Sequence, residues 1–284
     1  MLEITSIPEI RTWTGAQRAA GRRIALVPTM GYLHEGHLAL VDEARRRADS
    51  VVLSIFVNPL QFGPREDLAR YPRDLPRDRA LASARGVDTI FVPHASDMYP
   101  AGSEVRLIPG AMGERWEGAA RPGHFTGVLT VVAKLFHLTQ PDVACFGQKD
   151  IQQLALIRRM VRDLDWSLEI AMVRTIREAD GLAMSSRNAY LTEADRARAV
   201  VLSRALRAAH DAWHGGETRA AALEARMRDV LGKEPAVTVE YIAVVDPEAL
   251  APVKTADATT VIALAARIGS TRLIDNIVLA QGID

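Results

Sequence analysis

Two histidines three residues apart, His34 and His37, follow an apolar run and the loop Pro28-Thr29-Met30-Gly31, and they open a segment with helical spacing. Free N–H groups and the dipole at a helix N-terminus attract anions, and two imidazoles add donors for phosphate oxygens. Gly31 and Gly36 leave room for close backbone approach. The bland alternative is a pair that caps the helix or faces solvent. A zinc site built on His-x-x-His lacks a third ligand at a suitable spacing. Lys149 follows Gly147 at the end of another apolar run, a place from which an ammonium can neutralise phosphate charge in a transition state. A solvated surface lysine is the alternative there. Ser185-Ser186-Arg187 offers two hydroxyls and a guanidinium fork able to pair two oxygens at once, or else a loop that caps the helix starting near Thr192. Gln61 and Gln153 can fix a hydroxyl and a carboxylate, or be surface amides. Neither G-x-x-x-x-G-K-[ST] nor G-x-G-x-x-G occurs.

These groups need elements to position them. Ser6 to Glu9 forms a capping box that opens a helix ended by Gly21. Residues 23–27 read as a strand stopped by Pro28. A helix follows from His34, with Arg45 to Arg47 near its C-terminus. Further buried strands are expected at 51–57, 88–92, 142–146 and 168–173, with a helix at 152–164 between the last two. Strands apolar throughout and alternating with helices imply a Rossmann-like α/β fold, a parallel sheet with helices on both faces. Ligands then bind beyond the carboxyl ends of the strands, where Met30 to His37, Asn58 to Gln61, Gly147 to Asp150 and Met184 to Arg187 all fall. From about Thr192 the texture changes. Helices at 193–213 and 219–231 and strands at 237–245, 259–265 and 272–279 imply a smaller C-terminal α+β domain with antiparallel pairing. The division expected is 1–175 for nucleotide binding and 176–284 for a domain closing over the site.

A chain of 284 residues holds one large or two smaller domains. Thirty-five basic residues balance 35 acidic ones, which withdraws support from nucleic acid or anionic membrane as a partner. The single Cys145 excludes an intrachain disulfide and fits a reducing compartment; within an apolar strand it reads as a small buried hydrophobe. The first residues carry Glu3 where a signal peptide carries lysines, and no apolar run approaches the ~20 residues of a membrane span. A cytoplasmic protein with small-molecule partners is expected.

Five stretches carry a resemblance: PTMGYLHEGHL at 28–38, FVNPLQFGPREDLARYPR at 56–73, RPGHF at 121–125, FGQKDIQQ at 146–153 and DGLAMSSRNAYLT at 180–192. Together they resemble the pantoate–β-alanine ligase (pantothenate synthetase) family, within the nucleotidylyltransferase superfamily and its HxGH-type signature. The resemblance implies ATP-dependent condensation of (R)-pantoate with β-alanine through a pantoyl-adenylate, with magnesium and a homodimer. By position it implies an ATP site of Met30, Gly31, Tyr32, Leu33, His34, Glu35, Gly36, His37, Gly147, Gln148, Lys149, Asp150, Ile176, Met184, Ser185, Ser186 and Arg187. His37 would donate a proton or stabilise phosphate, with His34, Lys149 and Arg187 beside it, and Gln61, Gln153 and Asn58 would hold substrate. The irregular segment 61–71 is the candidate lid, and the magnesium ligands are left unassigned, with Asp78 a guess among them. Tyr32, Thr126 and Arg174 depart from the family pattern. A nucleotidylyltransferase for another substrate, or a non-catalytic nucleotide sensor or RNA-binding module, are the rival readings. The glutamines with FGQKD and MSSR argue against the first, and neutral charge and the full set of phosphate-facing groups against the second.

Overall fold

The apolar runs of the first half become strands because each is covered on both faces. The computed structural model describes residues 1–64 and 66–283. In chain order the first half runs β1 (Leu2–Ile4), α1 (Ile7–Ala19), β2 (Ile24–Thr29), α2 (Glu35–Arg47), β3 (Ser50–Ile55), α3 (Leu75–Ala84), β4 (Thr89–Phe91), α4 (Ala95–Met98), α5 (Glu117–Ala120), α6 (His124–Thr139), β5 (Val143–Gly147), α7 (Ile151–Asp163) and β6 (Glu169–Val173). Among the described residues these strands form one parallel sheet in the order β1-β4-β3-β2-β5-β6. Leu26 and Val52 pack with Phe136 and Ile157 on one face. Val27, Leu53 and the fully buried Cys145 pack with Leu40 and Val41 of α2 on the other.

From β2 the chain steps one way through β3 and β4, and the later strands β5 and β6 lie on the other side. The order therefore reverses between β2 and β5, and a crevice must open beyond their carboxyl ends. Pro28 records that opening. The strand does not stop there, as expected from sequence, but continues to Thr29. The Ile24 carbonyl accepts from Asp142 N–H and the Thr29 carbonyl from Phe56 N–H, so even-numbered residues of β2 face β5 and odd ones face β3. β5 pairs only with Ala25 and Leu26, so the N–H that Pro28 lacks falls where the strands have parted.

Five elements, β1, α3, α4, α5 and α6, are not read from the sequence. β1 is only three residues long. α6 is buried at most of its positions and so lacks the polar stripe that marks a helix.

The rest comprises α8 (Glu193–Ala199), α9 (Val201–His214), α10 (Ala220–Leu231), β7 (Val237–Val245), β8 (Val261–Ile268) and β9 (Thr271–Val278). The helix expected at 193–213 is thus two, broken at Val200. The strands pair antiparallel in the order β7-β8-β9. One sheet face packs Ile242, Leu264 and Ile277 against Leu206, Leu223 and Met227 of the helices. The other meets Ala155 of α7 through Ala243, Val245, Val261 and Ala263, which joins the two sheets.

Candidate active site

The crevice holds a cavity of about 220 Å³ lined by Met30, His34, Gly36, His37, Gln61, Gly147, Lys149, Asp150, Gln153, Ile176, Met184, Ser185, Ser186 and Arg187. Fourteen of the twenty residues expected from sequence therefore converge. A second cavity of about 380 Å³ adjoins it toward the antiparallel sheet, and Arg121, His124, Lys149, Asp150, Gln153, Ser185 and Arg187 line both.

The loop after β2 is built to turn sharply. Gly31 has φ +81°, and a Cβ there would lie 2.9 Å from Ile55 and 3.0 Å from the Asp78 carboxylate. Tyr32 also takes a positive φ, +53°. Asp78 holds the turn by accepting from the N–H groups of Tyr32 at 2.8 Å and Leu33 at 2.7 Å. Both its oxygens accept from backbone, so Asp78 serves the turn itself.

His34 is the N-cap of α2. Its Nδ1 accepts from Gly36 N–H at 3.1 Å, while His37 Nδ1 accepts from His34 N–H at 3.3 Å. The capping alternative is therefore correct as local structure, and it carries a chemical consequence. An imidazole whose Nδ1 accepts must, when neutral, keep its proton on Nε2. Burial, with Lys149 nearby, pulls His34 down to about 4. Burial, His34 and then Lys149 hold His37 well below the usual imidazole range. Near pH 7 each ring is a neutral Nε2–H donor, and the ring centroids lie 4.0 Å apart.

Lys149 sits in a short 3-10 turn, Gln148–Asp150, between β5 and α7. Ser185 caps the turn Ser186–Tyr190 by accepting from Arg187 N–H at 3.3 Å. The Arg187 fork grips Asp67 at 3.0 and 2.9 Å, with its guanidinium 5.8 Å from the centre of the Tyr71 ring.

Gln61 is held from both ends. Its carbonyl accepts from His124 Nδ1 at 2.8 Å and from Arg121 at 3.2 Å. Its side-chain oxygen accepts from Asn58 at 3.1 Å. Gly127 of α6 lets this turn approach, since a Cβ there would lie 2.2 Å from the Leu60 carbonyl. Arg121 also forks onto Glu66, with both distances 2.7 Å, and lies 3.3 Å from Glu117. Burial and Arg121 lower His124 to about 4.

Six expected site residues line neither cavity. Asn58, 1% exposed, spends its amide on Gln61, Gly127 and Tyr99, and acts on Gln61 rather than on a ligand. Leu33 is core, Gly31 and Tyr32 shape the turn, and Glu35 pairs with Arg85 at 2.7 Å. Gln148 is buried against Asn276. Reading by residue type and spacing assigns no role to Glu66, Asp67, Tyr71, Glu117, Arg121 or His124. Their only signal is their presence in the matched stretches 56–73 and 121–125, or near the latter. Arg65, inside the segment expected to be a lid, lies outside the described residues. Of the departures, Arg174 lines the smaller cavity, and the Thr126 carbonyl accepts from the Thr130 hydroxyl within α6.

A family model described as pantoate-beta-alanine ligase matches residues 3–278. The chain is 52% identical over 276 residues to the pantothenate synthetase of Heliobacterium modesticaldum, covering 97% of this chain and 98% of that one. The crystal structure of pantothenate synthetase from Thermus thermophilus superposes with a TM-score of 0.93 at 48% identity, over 98% and 99% of the two chains. That of the Francisella tularensis pantoate-beta-alanine ligase, complexed with beta-gamma ATP and beta-alanine, gives 0.82 at 32% identity over the full length of both. With its HxGH turn, lysine turn and serine–arginine loop around one crevice, and with this likeness along nearly its whole length, the chain belongs to the pantoate–β-alanine ligase family.

Proposed function

We propose that the crevice carries out ATP-dependent condensation of (R)-pantoate with β-alanine, releasing AMP and pyrophosphate by way of a pantoyl-adenylate. The observation that carries this reading is the set of groups turned to the crevice: two neutral imidazole donors, a helix N-terminus, Lys149 and the Ser185–Arg187 loop, beside Gln61 and Gln153. They supply donors and positive charge but no strong base.

That is what the first step requires. A pantoate carboxylate oxygen bonds to the α-phosphorus as the bond to pyrophosphate breaks, and pyrophosphate leaves with the electron pair. A carboxylate needs no deprotonation at neutral pH, but its charge approaches a polyanion, so fixed donors and cations lower the barrier. In this reading His34 and His37 serve as N–H donors to phosphate, and their depressed basicity supports the phosphate-stabilising role for His37 over that of an acid. Lys149 offsets charge developing on the leaving group. In the second step the neutral amine of β-alanine bonds to the acyl carbon, AMP departs with its electron pair, and the nitrogen gives up a proton. Water must be kept out meanwhile, since it would hydrolyse the adenylate. Residues 61–71 and the unit 176–284, closing on the body 1–175, supply that cover; the Arg187–Asp67 and Arg121–Glu66 pairs support it.

Magnesium enters with the nucleotide. Among the described residues no group of three or more His, Cys, Asp or Glu is arranged to hold a metal. Magnesium would be held through the triphosphate oxygens, whose charge it would offset, as is usual for this cation. A cytoplasmic setting and a homodimer belong to the same reading. Val105 and Ile108, 84% and 79% exposed, are large apolar side chains left open to a second copy.

Isotope exchange tests the order of events. Pantoate, ATP and magnesium without β-alanine should move labelled pyrophosphate into ATP, whereas β-alanine with ATP should not. Exchange that absolutely required β-alanine, or that ran equally well with unrelated acids, would refute the adenylate.

A further inference from the structure

Asp275 and Asn276 are neighbours on β9, only 3% and 1% exposed, and belong to neither loop that carries the phosphate-facing groups. Successive side chains on a strand leave on opposite sides, so one dipeptide can reach two places. The Asn276 amide donates to the carbonyls of Gln148 at 3.0 Å and Lys149 at 2.8 Å, and its oxygen lies 3.4 Å from the Gln148 amide that donates to it. Asp275 takes the Arg177 fork at 2.7 and 3.0 Å and accepts from Asn276 N–H at 2.8 Å. Arg177 in turn donates to the Gly181 carbonyl at 3.1 Å and bridges to Ala183 through its backbone, while Met184 N–H binds the Ile176 carbonyl at 2.9 Å. The lysine turn and the serine–arginine loop come from separate parts of the chain, yet one is fastened to Asn276 and the other, by way of Arg177, to the adjacent Asp275.

We infer that Asn276 is a positioning residue for Lys149, and that Asp275 and Asn276 together set the spacing between Lys149 and the 184–187 loop. The inference rests on the reading that Lys149 acts on the phosphates. A lysine side chain is long and rich in rotamers, so the place where its backbone starts decides where its ammonium can settle. Two converging carbonyls call for an uncharged double donor, and a primary amide is that group. A misplacement of ~1 Å at a reacting centre can cost ~10²-fold in rate. In this arrangement the C-terminal sheet gauges the distance between two phosphate-facing groups of the crevice, beyond any part it has in covering it.

A double-mutant cycle on pantoate-dependent pyrophosphate exchange tests this, with Asn276→Ala, Lys149→Ala and the pair. Asn276→Ala should lower kcat by about tenfold or more while leaving the KM for pantoate unchanged, and Asn276→Ser, which keeps one donor, should fall between. In the Lys149→Ala background, adding Asn276→Ala should change the rate by less than about twofold, because its route of action is already gone. If Asn276→Ala multiplied its full effect onto Lys149→Ala, or left kcat within about twofold of wild type, Asn276 would not act through Lys149. Lys149→Ala alone reports on the underlying reading: wild-type turnover there would overturn the lysine's role and this inference with it. If Asn276→Ala does not fold, the same cycle with Asn276→Ser decides between these outcomes.

Discussion

At the floor of the crevice His34 and His37 are anchored by backbone N–H groups of one helical turn and buried until they are neutral. At its rim Arg121 and Arg187 keep their charge and are gripped by Glu66 and Asp67, which belong to a segment distant from both in sequence. The floor needs no counter-ion, so its donors stand ready for phosphate with nothing to displace. The rim carries full charges compensated by neighbouring carboxylates, so an anion binding there would have to displace one of them. Preorganisation and exchangeable pairing are two ways of keeping polar groups in a half-buried site, and this molecule uses both within one crevice.

The strongest test of the floor is Lys149→Ala, expected to slow adenylation at least ~10²-fold, about 2.7 kcal/mol of transition-state stabilisation, with the fold intact. Single-turnover adenylation within a few-fold of wild type would remove the lysine from the chemistry. Next is pH. The unfolded chain protonates His34 near 6.5 and the folded chain only near 4, so the unfolded state binds more protons between these values, and stability must fall as pH drops through that window. At pH 5 the loss from His34 is on the order of 2 kcal/mol. Urea unfolding at pH 7 and pH 5 should show wild type losing more than His34→Gln; equal losses would mean the imidazole is not held neutral.

Smaller effects are expected where single hydrogen bonds are removed. Gln61→Ala and Gln153→Ala should each raise the KM for pantoate about tenfold, near 1.4 kcal/mol, with ATP affinity unchanged. A parallel loss of ATP binding in calorimetry would place these amides in the phosphate group instead. The smallest effect sharpens the rim. Asp67→Asn frees Arg187 from a partly exposed pair and should tighten ATP binding by no more than about threefold. Weaker ATP binding in that variant would make Asp67 part of the binding surface and not a competitor.

The sequence carried the floor well and the rim poorly, for physical reasons. β2, β3 and β5 are apolar runs of strand length, and a parallel sheet brings the residues after them to one edge, so His34, His37 and Lys149 fall together from the sequence alone. The Arg187–Asp67 contact joins positions 120 apart, and no local spacing announces such a pair. Asn58, Gly31 and Gln148 show another limit. They stand inside the right stretches, yet their chemistry is spent on backbone and neighbours, and a motif does not distinguish a residue that meets the ligand from one that shapes the loop presenting it. α6 was invisible because burial on nearly every side erases its period.

Cys145 lies fully buried in β5, two residues before Gly147, and burial pushes its thiol up to about 12. At pH 7 to 8 it is therefore almost wholly protonated and shielded, and maleimides and iodoacetamides react with thiolate. A chain whose only sulfhydryl is chemically silent is a natural host for spectroscopy. A cysteine introduced on the 61–71 segment, with a second beyond it on the antiparallel sheet, would take a fluorophore or spin-label pair without removal of the native residue. The closure proposed for the crevice could then be tested and timed in a protein otherwise left as it is.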